Sequence, residues 1–318
     1  MNLLKIRKFP LLLLLPAFLM FFASCESDDV DDMVVADKDR TITEYLGSDS
    51  DFSTLSAALE RTGLDATLDQ ENADFTLFAP NNAAFEKMGV DLTSVSNEDL
   101  TDILLYHVIQ DRRLGVVNLT IENRYFETAS SAGPNSNNLS IMLERNNDEL
   151  MVNGFVSVSS TPNDFKNGVI YEMNDVLSLP TIADIAVNDK NLGRLESALT
   201  TASGDLVGLL SGADVYTVFA PIDDGFEDIE DVVDALDADQ LANVLSYHVV
   251  SGNVLSNDLE DDQTVMTLNG EEITIDIDLG IIRIEDQDNE KALVRISDIQ
   301  TTNGVVHIIS KVLLPSDL

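Results

Sequence analysis

TLFAPNNAAF at residues 76–85 and TVFAPIDDGF at residues 217–226 are one motif written twice, 141 residues apart. LLYHVI at 104–109 returns at the same spacing as LSYHVV at 245–250. A third pair closes the series, NGVIYEMNDVL at 167–177 and NGVVHIISKVL at 303–313. Three matched blocks in one order mean two copies of a single domain. Each copy has the usual size of a domain and is long enough to bury its own core. Two copies on one chain point to a binding or scaffolding array, since a single catalytic cleft has no need of the second.

One template describes both copies. In the first, Phe52, Leu55, Ala58 and Leu59 form a helical stripe closed by Gly63, and Leu192, Leu195, Ala198 and Leu199 repeat it. The TLFAP block reads as a short strand ended by Pro80, with Asn81-Asn82 as a turn or helix cap and Phe85 opening the next buried face. The same roles are expected of Pro221, Asp223-Asp224 and Phe226. Residues 96–109 predict a helix in which Ser96 and Asp99 resemble a capping box, with His107 on its apolar side. Asp239, Leu241, Val244, Leu245 and His248 repeat this. The second half of each copy turns to strand periodicity. Asn269-Gly270 predicts a hairpin turn, and Ile273, Ile275, Ile277 and Leu279 predict a strand with one acidic face. Two strands around an acidic turn are expected over 281–299, and a last strand from Asn303-Gly304 to Pro315. In the first copy a polar loop at 130–138 precedes expected strands near 139–144 and 149–158. Helices early and strands late predict an α+β fold.

The N-terminus reads as an address. Lys5, Arg7 and Lys8 precede an apolar run to Phe22, and small residues lead to Cys25, so residues 1–24 are expected to be a signal peptide. Cys25 is the single cysteine in 318 residues, which excludes an intrachain disulfide. Its position resembles the acylated cysteine of a bacterial lipoprotein, although Phe22 stands where that pattern prefers Leu. Glu26 in place of Asp suggests sorting to the outer membrane, and residues 25–40 read as an acidic tether. Removing residues 1–24 leaves 15 basic against 57 acidic residues, a net charge of −42. A field of that sign repels nucleic acid and anionic head groups, and it also keeps a crowded surface protein soluble. With no Trp and 6% aromatic residues, composition lends a glycan-binding reading no direct support.

Taken together, the three blocks resemble the fasciclin (FAS1) family over essentially the whole chain after residue 40. The resemblance implies two tandem fasciclin-like wedges, at 41–180 and 181–318, each of twisted β-sheets with helices packed along one side. It also implies a non-enzymatic adhesion or binding role. The family-motif positions are Phe78, Pro80, Tyr106 and His107 in the first copy, and Phe219, Pro221, Tyr247, His248 and His307 in the second. Their expected role is structural. Tyr171 stands at the place of His307, so a role that needs an imidazole there is confined to the second copy, with the first as a spacer.

The chemistry of single residues is weak. Three histidines without Cys neighbours or HxxxH spacing are far from a zinc signature, and no nucleophile elbow or phosphate-cradling loop is present. Asp286, Asp288 and Glu290 imitate the opening of a calcium loop, but Lys291 occupies the position that needs Gly, so a solvated turn is expected. Neither a metal nor a cofactor is expected. The partners expected are the outer membrane, through the lipid anchor, and an unknown surface protein or polysaccharide. A glycan-capture accessory of an uptake system is the first alternative, and a hydrolase using His248 or His307 the second.

Overall fold

The computed structural model describes residues 37–115, 124–146, 149–159 and 161–316. The signal segment, Cys25 and most of the tether lie outside the described residues. The first copy runs α1 (Ile42–Ser48), α2 (Ser53–Thr62), α3 (Asp65–Leu68), β1 (Phe75–Pro80), α4 (Asn82–Met88), α5 (Asn97–Tyr106), β2 (Val108–Ile109), β3 (Tyr125–Glu127), β4 (Ser140–Asn146), β5 (Glu149–Val152), β6 (Val156–Ser159), β7 (Asn163–Phe165) and β8 (Gly168–Met173). The second runs α6 (Ile182–Asn188), α7 (Gly193–Thr201), α8 (Leu206–Leu210), β9 (Tyr216–Pro221), α9 (Asp223–Glu227), α10 (Glu230–Val233), α11 (Ala238–Tyr247), β10 (Val249–Ser251), β11 (Thr264–Met266), β12 (Glu272–Asp278), β13 (Ile281–Glu285), β14 (Lys291–Thr301) and β15 (Gly304–Ile309). Helix and sheet mix in each copy, as the α+β expectation requires.

At the centre of each copy the TxFAP strand lies parallel to the closing NGV strand. β1 pairs with β8 from Phe75↔Gly168 to Pro80↔Met173, and β9 with β15 from Tyr216↔Gly304 to Pro221↔Ile309. Burial on both faces explains their near-continuous apolar sequence. Phe75, Leu77 and Ala79 face the helices and join Ile42, Leu55 and Leu104, whereas Phe78 faces the other way and joins Tyr106, Ile141 and Tyr171. Each copy thus has two apolar layers, helix on sheet and sheet on sheet. The NG dipeptide is a steric requirement. A Cβ on Gly304, at φ +145°, would sit 1.8 Å from the Tyr216 carbonyl oxygen, and one on Gly168 would sit 2.4 Å from that of Phe75.

The copies differ in how their sheets join. The second has one seven-stranded sheet, β10-β9-β15-β14-β13-β12-β11, while the first has two four-stranded sheets, β2-β1-β8-β7 and β3-β4-β5-β6. β14 runs through both layers of the second copy, pairing with β13 at one end and β15 at the other, with register shifts between. In the first copy the corresponding stretch is split into β6 and β7, with Pro162 just before β7. Proline has no N–H for the ladder and breaks the continuous strand.

Several sequence expectations are corrected. Residues 149–158 are two strands, β5 and β6, folded at Asn153-Gly154, where both φ values are positive. Leu279 is not a strand residue. With Gly280 it forms the two-residue loop between β12 and β13 at φ +50° and +80°, and it is 94% exposed. β15 ends at Ile309, well before Pro315. The cap of α4 is Asn81, whose side chain accepts from the Ala84 N–H, but the aligned residue in the second copy is Ile222, which cannot cap. Asp223 instead accepts from the Arg194 N–H at the start of α7, as Asn82 accepts from Thr54 at the start of α2. Asp286 is buried rather than solvated. One of its oxygens accepts from the Asp288 and Glu290 N–H groups and the other from Leu314, so it is an internal staple.

Candidate functional site

The motif residues are interior. His107 ends α5 with its ring fully enclosed: Nδ1–H donates to the Ile103 carbonyl at 2.7 Å and Nε2 accepts from the Leu177 N–H at 2.9 Å. His248 does the same in the second copy, with Val244 at 2.8 Å and Leu313 at 2.9 Å. Each ring ties a helix end to the segment beyond the closing strand, four residues past its end. Burial holds both imidazoles down to about 4, so they are neutral near pH 7. Neither has a lone pair left for a metal or a substrate proton.

The adjacent tyrosines pin the outer layer. The Tyr106 hydroxyl donates to the Ser140 carbonyl and accepts from Asn153, and the Tyr247 hydroxyl donates to the Glu272 carbonyl. Phe78 stacks on Tyr171 at 5.4 Å between ring centroids, and Phe219 stacks on His307 at 5.5 Å. Pro80 and Pro221 end their strands, and the next residue's N–H resumes bonding to Met173 or Ile309. His307 is buried, with Nε2–H donating to the Val254 carbonyl at 2.9 Å and Nδ1 accepting from the Asp298 N–H at 3.3 Å. Tyr171 meets the equivalent carbonyl, that of Leu114, at 2.8 Å. Burial lowers the His307 pKa and raises that of Tyr171 to about 12.

Sequence reasoning missed the asparagines of the NG blocks as fixing points. Asn167 accepts from the Ile42 N–H and donates to the carbonyls of Leu68 and Gln70, and Asn303 accepts from Ile182 and donates to Leu210 and Gly212. Their recurrence before Gly in both copies was the available signal. Among the described residues no three His, Cys, Asp or Glu side chains gather as a metal could require.

A concave surface also lies where the copies meet. Arg124, beside β3, pairs with Asp189 after α6 at 2.6 Å, and both side chains are buried. The Tyr125 hydroxyl donates to the same carboxylate at 2.8 Å. Burial, then the Asp189 charge, holds that phenol well above its usual range, so it remains a donor. Elsewhere along the seam the Gln300 N–H donates to Ser140 Oγ and the Thr302 N–H to the Pro180 carbonyl. Beside the ion pair a cleft of 240 Å³ opens, lined by Tyr125, Asn153 and Phe155 of the first copy and Asp184, Ile185 and Asn188 of the second.

A family model described as the fasciclin domain matches residues 50–180 and 190–315. Transforming growth factor-beta-induced protein ig-h3 of Sus scrofa is 27% identical over 294 residues, 90% of this chain but 39% of its own length. The chain therefore spans well under half of that relative. An uncharacterised protein of Synechocystis is 36% identical over 139 residues, 43% of this chain and 98% of its own length. The solved domain pair of the insect cell adhesion molecule fasciclin I shares the fold, with a TM-score of 0.51 and 19% identity over 83% of this chain and 97% of that one.

Proposed function

This chain is a member of the fasciclin domain family, and from that premise we propose that it is a non-enzymatic binding or adhesion module held outside the cytoplasm by a lipid on Cys25. The observation that carries the reading is the complete use of the motif side chains inside the fold. Both ring nitrogens of His107, His248 and His307 are bonded to backbone, which leaves them no role as base or ligand. What the chain offers a partner is therefore its surface, two joined copies on one attachment point. The solved insect relative is named as a cell adhesion molecule, which agrees with such a role. Among the described residues no helix is long and apolar enough to cross a membrane, and the proposed anchor is the acylated cysteine with the acidic tether above it.

The test is cellular. In the native host, Cys25→Ala should move the protein from the membrane fraction to the soluble fraction. Deleting the gene should reduce attachment of cells to their natural surfaces. Retention of Cys25→Ala in the membrane would overturn the anchor, and unchanged attachment after deletion would overturn the adhesive role.

A further inference from the structure

We propose that the cleft at the seam between the two copies is a saccharide subsite that receives one neutral pyranose ring of a polysaccharide. The inference rests on the binding-module reading above and gives it a ligand class. Its first support is an aromatic platform. Phe155 is 54% exposed, which strands a large apolar face in water beside a concave wall. The turn that carries it is pressed onto the end of α6: a Cβ on the preceding Gly154 would lie 2.2 Å from the Asn188 carbonyl oxygen. An exposed aromatic ring, with only two side-chain torsions, offers area at little entropic cost.

The second support is a set of unused polar groups around that ring. The Ser178 hydroxyl and the Asn188 carboxamide both line the cleft and make no hydrogen bond within the described chain. The Asp184 carboxylate spends Oδ2 on Thr181 and keeps Oδ1 for a further donor. An amide, a hydroxyl and a carboxylate oxygen beside an aromatic face suit a ligand that is apolar on one side and rich in hydroxyls at its edge.

Charge and size narrow the class. Asp189 is already neutralised by Arg124 and bonded by Tyr125 and Asn191, so the cleft presents no pair of free carboxylates for a cation. Among the described residues no unpaired cation lines it either, and a chain of net charge −39 repels acidic polymers. The volume of 240 Å³ lies below the roughly 300–1,000 Å³ of sites for drug-sized ligands, which fits one ring of a longer chain continuing into solvent. The low aromatic content of the sequence hides this site, because one Phe placed by the fold does the work of a Trp.

The experiment uses the whole secreted chain and a panel of neutral hexasaccharides built from glucose, mannose, galactose and xylose, titrated by calorimetry. At least one should bind, and Phe155→Ala should weaken it by about tenfold or more. Asn188→Ala should weaken it less. Both variants should keep the wild-type Tm, since Phe155 and the Asn188 amide support little of the core. Leu279→Ala, an exposed apolar change in the loop between β12 and β13, should leave binding unchanged. No binding across the panel, or binding insensitive to Phe155→Ala, overturns the saccharide site. The gene deletion separates the two proposals: reduced attachment of the deletion together with no binding of the wild-type chain across the panel sinks the site alone, whereas normal attachment of the deletion sinks the binding role itself.

Discussion

His307 and Tyr171 hold the same place in the two copies, and the difference between them is matched by a second one across the strand. In the second copy the neighbouring strand carries Asp298, in the left-handed region at φ +62°, with an N–H that needs an acceptor. The imidazole supplies it through Nδ1 while Nε2–H serves the Val254 carbonyl. In the first copy the aligned residue is Pro162, which has no N–H. A ring acceptor would be idle there, and a phenol that serves the Leu114 carbonyl suffices. The tyrosine is thus not a decayed histidine. Donor and acceptor have changed together, and the buried backbone stays satisfied in both solutions. The first copy keeps the same interior logic with different atoms.

This pairing of likeness and difference can be broken at several strengths. Gly304→Ala should be the most damaging change, destabilising the second copy by more than about 4 kcal/mol, because backbone blocks the new methyl and φ disfavours any side chain. Gly168→Ala, which lacks the positive φ, should cost measurably less in urea unfolding. Arg124→Ala leaves Asp189 buried without its cation and should cost about 3–5 kcal/mol, read as a loss of coupled unfolding between the copies.

Acid tests the likeness. His107 and His248 have folded pKa values near 4 against 6.5 unfolded, so below pH 6.5 the unfolded chain binds more protons. Their contribution is complete above pH 6.5, falls as pH drops and is lost near pH 4. It amounts to roughly 3 kcal/mol for each ring. Stability measured by urea from pH 7.5 to 4 should fall accordingly, and replacing either His by Gln should remove about one proton from the uptake on unfolding. Equal effects in the two copies would sharpen the comparison. His307→Tyr transplants one half of the first copy's solution without the other and orphans the Asp298 N–H, at about 2 kcal/mol by thermal unfolding. Leu279→Asn should be the mildest change and a gain of about 1 kcal/mol, since a Leu exposed at φ +50° gives way to a residue suited to the loop.

Much of the fold was legible because its signals are local. The TxFAP strands, the Asn269-Gly270 turn and the stripe from Leu192 to Leu199 follow from spacing and turn chemistry alone. Leu279 misled because period-two alternation runs one residue past the strand, and the αL pair with Gly280 looks like a continuation. Asp286 misled because its acidic neighbours are exposed, while its own partners include Leu314, far along the chain. The seam was illegible for the same reason. Arg124 and Asp189 become partners only through the arrangement of the two copies, and no spacing rule links them. Phe155 was one apolar residue after an Asn-Gly turn until the fold set it beside α6.

The parallel pairing at the heart of each copy has a consequence for how the chain is made. β1 waits for β8 and β9 waits for β15, so neither copy can close before its last block has arrived. Such long-range closure is slow, and during the wait two similar unfinished edges share one chain. A β1 that captured β15 would yield a crossed, trapped product. The paired substitutions argue against that exchange. His307 in the first copy would find Pro162 where its Nδ1 expects an N–H, and Tyr171 in the second would leave Asp298 unanswered. Each closing strand is thus matched to the neighbour it meets in its own copy, and an exchange would leave a buried acceptor idle in one copy and a buried N–H unanswered in the other.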